Sequence, residues 1–363
     1  MKRFLSIVIL LALLFGLASC SSGSDGTGSA VDEDSAAEAE SEEETVSYTA
    51  QVFAMDTYID LTGYGSAAEA AIEEIAGRIE ELDALLSVTS EDSEVYALNH
   101  AGGEALTVSE TTAELIAFTQ TLSAQTNGAL DITVYPLMLA WGFTTEEYQI
   151  PSDEAISALL PYVDESLITV DGTTVTVPAD MQLDLGAVVK GYACDLAGSI
   201  LEEYGVEHAL LNFGGSTINL VGTKVDGSSW RVAIQDPEDE SAYAGILEVT
   251  DCIIDTSGGY ERYFTDEDGN VYWHIIDPDT GYPADSGLIS VTIISEEGIT
   301  GDALSTACFV MGLEETIEYW RTSGDFEFVL ITEDHDLYVS EGIADSFTPT
   351  GDYSDASLTV VQQ

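Results

Sequence analysis

Eight lysines and arginines face 67 aspartates and glutamates in this chain of 363 residues, a formal net charge of −59. Self-repulsion on that scale leaves folding dependent on apolar content. The chain is 45% hydrophobic and 9% aromatic, ample for a buried core, so global disorder is excluded. The charge also excludes nucleic acid as a partner, because a phosphate backbone is bound by clustered Lys and Arg. Anionic lipid surfaces are repelled too, unless a covalent link holds the protein there. The length fits one large domain or two lobes, and the four cysteines are too few for a disulfide scaffold.

The first twenty residues supply such a link. Lys2 and Arg3 form a positive start, and Phe4 to Phe15 an apolar stretch too short to span a bilayer. Leu17-Ala18-Ser19-Cys20 then resembles the lipobox of bacterial lipoproteins, in which Cys20 is lipidated and becomes the new N-terminus. Residues 1–19 are thus expected to be a signal peptide, and their loss leaves six cations against 67 acids, a net charge of −61. Residues 20–46 read as an acidic spacer, since Asp32, Glu33, Asp34, Glu38, Glu40 and Glu42 to Glu44 repel one another and extend the chain. The protein is expected to be exported and held at a bacterial membrane.

The folded region is expected over residues 47–352, followed by a tail at 353–363. Tyr48 to Leu61 has strand character, and Ala67 to Leu86 repeats apolar residues at helical spacing. Thr111 to Gln125 and Asp153 to Leu160 are further helix candidates. Beyond Leu167 strands dominate: Leu167–Val170, Thr174–Val177, Gln182–Leu185, Ala209–Phe213, Thr217–Val221, Trp230–Ile234, Ala244–Val249, Ile253–Ile254, Glu327–Ile331 and Leu337–Val339. Helices are expected over Ala187–Tyr204, Asp302–Val310 and Leu313–Trp320. The mixture predicts an α+β or mixed α/β protein with a substantial antiparallel sheet. Cys194, Cys252 and Cys308 each lie in an apolar run and read as buried small hydrophobes with no metal-ligand spacing.

Four groups of residues carry chemistry. Lys190 follows Leu183-Asp184-Leu185-Gly186-Ala187-Val188-Val189, a strand, a Gly turn and a helix start. A Lys in the first helical turn opposes the macrodipole; with free N–H groups beside it, it makes an anion site, and otherwise it is a plain surface Lys. In Thr300-Gly301-Asp302-Ala303-Leu304-Ser305-Thr306, a helix beginning at Asp302 puts Asp302 and Thr306 on one face. That pair of hard oxygens suits Mg²⁺ completed by substrate phosphate, or Asp302 is simply a helix cap. His274 ends an apolar strand before the Asp277-Pro278-Asp279-Thr280-Gly281 turn, as a catalyst or as a structural hydrogen-bonder. Asn212-Phe213-Gly214-Gly215 brings a strand into a glycine pair where a backbone or ligand can approach closely.

Together these segments resemble the ApbE family of FAD:protein FMN transferases. The resemblance rests on Asp184-Leu185-Gly186-Ala187-Val188-Val189-Lys190-Gly191-Tyr192-Ala193, on Asn212 to Gly215, on His274-Ile275-Ile276-Asp277-Pro278-x-x-Gly281 and on Asp302-Ala303-Leu304-Ser305-Thr306-Ala307. Met55-Asp56-Thr57, Ser93 to Asn99, Gly128 to Leu137 with Trp141-Gly142-Phe143, and Ser257 to Phe264 fit as well, in the family's order from about residue 50 to 350. It implies a two-lobed α+β fold, ApbE-like or T-fold-like, with a mixed, largely antiparallel sheet and FAD between the lobes. It implies Mg²⁺ held by the Ala187 carbonyl, Asp302 and Thr306. FAD contacts would come from Met55, Ala129, Leu130, Asp131, Asp184, Lys190, His274 and Ile275. FMN would pass to a Ser or Thr of a target protein in a membrane or extracytoplasmic redox system with AMP leaving; catalysis would use Asp302, and the hydroxyl needs a base, for which His274 is the candidate and an acidic side chain would serve equally.

The chain departs from the family pattern at Asp56 (commonly Gly), Leu130 (commonly Phe) and Ser216 (commonly Asp or Asn). The acceptor motif usual in flavinylated targets, Asp-x-x-Ser/Thr-Gly-Ala-Ser/Thr, does not occur in it. Two other activities use the same residues: an Mg²⁺-dependent FAD pyrophosphatase, and a flavin-binding lipoprotein without catalysis.

Overall fold

A computed structural model describes residues 46–145 and 147–363; the assignments before residue 46, Cys20 among them, lie outside the described residues. The alternating run from Tyr48 is a hairpin of two strands, β1 (Ser47–Ala54) and β2 (Thr57–Tyr64), rather than a single one. Its turn residues, Met55 and Asp56, have φ of 53° and 60°. Positive φ at both positions is what a two-residue hairpin turn needs to match strand twist, and Asp tolerates it better than most residues.

Then follow α1 (Ala68–Leu86), α2 (Glu94–Asn99), β3 (Leu106–Thr107), α3 (Glu110–Gln125), α4 (Tyr135–Trp141), α5 (Asp153–Leu159), β4 (Thr169–Asp171) and β5 (Thr174–Thr176). The second half holds α6 (Val189–Tyr204), β6 (Ala209–Phe213), β7 (Thr217–Val221), β8 (Trp230–Gln235), β9 (Tyr243–Val249), β10 (Cys252–Gly258), β11 (Tyr263–Thr265), β12 (Val271–Trp273) and β13 (Leu288–Ser295). It closes with α7 (Gly298–Ser323), β14 (Glu327–Thr332), β15 (Leu337–Ser340), β16 (Phe347–Pro349) and β17 (Leu358–Val361).

Nine strands form the main sheet, in the order β1-β2-β6-β7-β10-β13-β14-β15-β17. Every neighbouring pair is antiparallel except β15 with β17. Alternation along the strands gives the sheet two apolar faces. Ile253, Val291, Ile293, Phe328 and Leu330 face α1, α6 and α7. Ile254, Ile294, Val329, Ile331 and Val339 face the small sheet β16-β9-β8 through Trp230, Val232, Leu247 and Phe347. A third cluster joins Leu137, Trp141, Phe143 and Ile156 to Ile276, with the Trp141 indole donating to the Gly281 carbonyl at 2.9 Å. The fold is therefore α+β with a large, mostly antiparallel sheet. Residues Thr45–Gln363 form one compact unit, so any lobes are parts of a single domain.

Several sequence expectations change. Gln182–Leu185 is not a strand: Asn99 takes both backbone groups of Leu183, donating to its carbonyl at 2.8 Å and accepting from its amide at 2.7 Å, which a sheet ladder would otherwise use. Leu167 closes a short 3₁₀ turn before β4. Residues 353–363 are no loose tail, because β17 pairs with β15 over four residues and Val361 is buried. Cys194 and Cys308 are buried, whereas Cys252, at the start of β10, is half-exposed. The two helices expected between Asp302 and Trp320 are one element with a break at Gly312 (φ 77°). There the backbone packs on the Ser286 carbonyl too closely for a Cβ.

The start of that element places the site. α7 opens at Gly298, with Asp302 in its second turn. Its amides are capped from another helix: Asp195 of α6 accepts from Gly298 N at 2.6 Å and Ile299 N at 2.9 Å. Asp302 is thus released from the capping role that position alone suggests. The two helices cross in backbone contact, since a Cβ on Gly191 would overlap the Gly298 carbonyl and one on Gly298 the Gly191 carbonyl. Gly191→Ala is therefore expected to overpack the crossing and cost at least about 1–3 kcal/mol, read as a lower denaturation midpoint; an unchanged midpoint would show that the helices can part without penalty.

Candidate active site at the α6–α7 crossing

The close crossing puts a lysine and an aspartate from opposite helices together. Asp302 Oδ2 accepts from the Gly191 amide at 2.9 Å, and Oδ1 lies 3.4 Å from Lys190 Nζ. Both side chains are largely buried, at 21% exposure for Lys190 and 7% for Asp302. Burial pushes the Asp302 carboxyl up from its usual range, against the pull of Lys190 and the Gly191 amide. Burial also disfavours the charged form of Lys190, but Asp302 and Asp255 outweigh it and hold the ammonium above its ordinary value.

Beneath the pair runs β10, whose inward residues alternate Ile253, Asp255, Ser257. Two strand residues advance about as far as one helical turn, so successive inward positions meet successive turns of α7. The Asp255 carboxylate lies under Gly301 so closely that a Cβ there would overlap Oδ2. Ser257 Oγ lies 2.7 Å from Ser305 Oγ and 3.4 Å from Thr306 Oγ1. Asp255 is fully buried, and neither of its oxygens has a hydrogen-bond partner among the described residues. The facing Thr217 hydroxyl is equally buried and unpartnered. Burial, then repulsion from Asp302, drives the Asp255 carboxyl far above its ordinary range.

Around this centre lie most of the other residues singled out in the sequence. Asp184, its carboxylate accepting from Gly186 N at 2.7 Å, feels both Lys190 and Arg262, although burial raises its carboxyl overall. Its amide donates to the Ile132 carbonyl at 2.9 Å, which brings the Ala129-Leu130-Asp131 stretch alongside. Asp131 orders that stretch by accepting from Thr133 N and Thr133 Oγ1 at 2.7 and 2.5 Å and from Glu165 N at 3.1 Å. Leu130 is buried, while Ala129 is half-buried. His274 is half-buried, with Nδ1 3.3 Å from the Arg262 carbonyl. Burial, reinforced by the charges of Arg262 and Lys190, pulls its imidazole down to about 4, so it is neutral at neutral pH. Ile275 belongs to the buried wall behind it. Met55 is fixed by its amide donating to Asp83 of α1 at 2.8 Å.

Three participants escaped the sequence reading. Arg262, in a quoted motif but given no role, pairs with Asp56 at 2.9 Å and links the hairpin tip to the His274 strand. Asp255 had one available signal, an acid in an otherwise apolar strand. Asp195, the distant cap, had none, because its partner lies 103 residues away.

The centre holds one cation and two carboxylates, with hard oxygens beside them. Asp302 and Thr306 lie one turn apart on α7. The Gly191 amide is spent on Asp302 rather than on the Ala187 carbonyl one turn back, so that carbonyl is open to another partner. A carboxylate, a hydroxyl and a carbonyl, with an orphaned carboxylate behind them, fit Mg²⁺, which keeps several waters and takes the rest from phosphate. Two large cavities, of about 810 and 1270 Å³, lie elsewhere, lined by Phe118, Cys252 and Glu297 and by none of Lys190, His274 or Asp302.

A buried Lys–Asp pair with hard-oxygen donors beside it can hold an anion and a divalent cation side by side. The chain belongs to the ApbE family, whose model matches residues 55–330. A relative from Klebsiella pneumoniae, FAD:protein FMN transferase, is 31% identical over 314 residues, covering 85% of this chain and 96% of that protein. Another of that name, from Vibrio cholerae, is 36% identical over 66% of this chain and 73% of its own length. Among solved structures, the ApbE protein of Thermotoga maritima superposes with a TM-score of 0.77 at 30% identity, covering 83% of this chain and 99% of its own. The flavin transferase ApbE from Vibrio cholerae gives 0.75 at 29% identity, with the same coverage.

Two titrations follow. His274, depressed from 6.5 to about 4, contributes stability that is present above the unfolded value and lost as pH falls through the folded one; its ring resonances in NMR should stay those of neutral imidazole down to about pH 5. Glu165, buried with both carboxylate oxygens unpartnered, is raised by burial and by Asp131 to about 8. Its contribution is full below 4.5 and lost as pH rises through 8, so Glu165→Gln should stabilise the protein more at pH 8 than at pH 5, by about 1 kcal/mol or more in unfolding free energy. An equal effect at both pH values would mean that Glu165 is ionised in the native protein.

Proposed function

We infer that this chain is a flavin transferase that moves the FMN half of FAD onto a Ser or Thr hydroxyl of a target protein, releasing AMP. The single observation that carries the reading is the buried Lys190–Asp302 pair at the crossing of two helix starts, in a chain of the ApbE family. A molecule this acidic cannot attract a diphosphate by its overall field, so a local cation has to do it. Lys190 is one of only six Lys and Arg residues beyond the signal region, and it lies in the first turn of α6, where N–H groups favour anions.

The chemistry is a phosphoryl-type exchange. The acceptor oxygen bonds to the phosphorus that carries the flavin side of FAD, the bond from that phosphorus to the bridging oxygen breaks, and AMP leaves with that oxygen. Catalysis here is chiefly positioning and charge neutralisation. Lys190 and the helix N–H groups bind and orient the diphosphate. Mg²⁺, held by Asp302, Thr306 and the Ala187 carbonyl, supplies charge neutralisation on the phosphoryl oxygens when bound. His274, neutral at neutral pH, accepts the proton of the attacking hydroxyl. The incoming phosphates set their negative charge against the influence of Arg262 and Lys190 on the ring. Met55, Ala129 to Asp131, Asp184 and Ile275 form the walls that hold the flavin dinucleotide. The targets are proteins of membrane or extracytoplasmic redox systems, reached from a lipid anchor at Cys20 on the outer side of the membrane.

In the test, the domain is incubated with FAD, Mg²⁺ and a protein bearing the acceptor motif, and flavin fluorescence is read in a denaturing gel. Label on the acceptor supports the transferase; free FMN without label identifies a pyrophosphatase, and intact FAD a carrier. Asp302→Asn is expected to lower turnover at least about 100-fold while largely keeping FAD affinity. Lys190→Ala should weaken FAD binding by about tenfold or more, and an unchanged dissociation constant would remove Lys190 from phosphate recognition.

A further inference from the structure

The Mg²⁺ reading leaves one difficulty: the oxygen of Asp302 that faces the site is already paired, at 3.4 Å, with the Lys190 ammonium. A divalent ion on that oxygen would stand a few ångströms from the ammonium, and in a dehydrated centre the two repel strongly. Loading a metal therefore requires Lys190 to go elsewhere, and a buried ammonium needs an anion where it goes. Its long, flexible stem permits such a move without shifting α6.

The structure offers one place. Asp255 lies in the β10 layer directly below, close enough to act on Lys190 electrostatically. It is fully buried, with neither carboxylate oxygen hydrogen-bonded. An unpartnered buried carboxylate is costly, and its retention in an apolar strand has no packing rationale. Asp302 and Asp195 repel its charge, the facing Thr217 hydroxyl eases it slightly, and Lys190 is the cation that acts on it. Gly301, one residue before Asp302 on α7, leaves by its missing side chain the room that Asp255 Oδ2 occupies.

We propose that Asp255 is a positioning residue that receives Lys190 when a divalent cation occupies Asp302, so that the lysine alternates between the two carboxylates. With the metal absent, Lys190 neutralises Asp302 and holds the helix crossing together. With the metal present, Lys190 turns its ammonium towards Asp255 while staying beside the crossing where the diphosphate binds, and the two acids, the lysine and the metal sum to one positive charge, which the phosphates offset. Asp255 thereby favours metal entry without coordinating the metal.

This rests on the Mg²⁺ reading above, and its test separates the two. Isothermal titration with Mg²⁺ alone, and Mn²⁺ electron spin resonance as a second probe, are run on the full chain without nucleotide. The variants are Asp255→Asn, Asp255→Ser, Lys190→Met and the double variant Asp255→Asn/Lys190→Met, with thermal melts alongside. Asp255→Asn is expected to weaken Mg²⁺ by about tenfold without lowering the melting temperature, because Asn fills the same space and has no group that must ionise in a buried layer. In the Lys190→Met background, where no lysine needs a refuge, the same substitution should cost several-fold less. Equal Mg²⁺ affinity of wild type and Asp255→Asn, with Asp255→Ser agreeing, overturns the proposal. An equal penalty with and without Lys190 also overturns it, by showing that Asp255 acts on the metal directly. If wild type itself binds neither ion, it is the Mg²⁺ reading that fails.

Discussion

The rest of the site depends on two backbones touching. Gly191 and Gly298 let α6 and α7 cross with no side chain between them, and only at that distance can Asp302 of one helix take the Gly191 amide of the other. The bond does three things at once. It orients the carboxylate, takes the Gly191 amide that would otherwise reach the Ala187 carbonyl, and sets Lys190 beside an acid so that a buried ammonium remains charged. Each follows from geometry that any Cβ at the crossing would destroy.

Charge in this molecule is arranged by exclusion. Nearly all acids face solvent, where water screens them. Five that are buried or half-buried, Asp302, Asp255, Asp184, Asp131 and Glu165, gather around the crossing and the loops beside it. Dehydration raises all five carboxyls, and hydrogen bonds, Lys190 and Arg262 restrain the rise at some of them. The same cations act in the opposite sense on His274, which is kept neutral. A strongly acidic protein thus contains one locally balanced region, and that is where an anionic ligand would meet least opposition.

Much of this was legible from the residue order. Local signals worked where structure is local: the periodicity of α1 and α3, the helix start at Lys190, the shared face of Asp302 and Thr306. Local signals failed where a long-range contact decided the outcome. Asp302 at an expected helix start reads as a cap, but Asp195 fills that role from the neighbouring helix, which moves the start four residues upstream. Leu183 alternates like a strand residue, but Asn99 claims its amide and carbonyl. The centre's third charge, Asp255, is invisible until β10 is laid under α7. Resemblance to a family located the motifs, and physical chemistry explains why they converge.

The main sheet begins with the first described strand and is bounded on its other side by the last. Until Leu358–Val361 emerges, β15 lacks its outer neighbour, and a sheet with an open flank is a template for pairing with copies of itself. The pairing of β2 with β6, strands far apart in sequence, also makes assembly slow. Here the surplus of negative charge acquires a meaning apart from ligand binding: while the polypeptide waits for its final residues, unfinished copies repel one another and escape clumping.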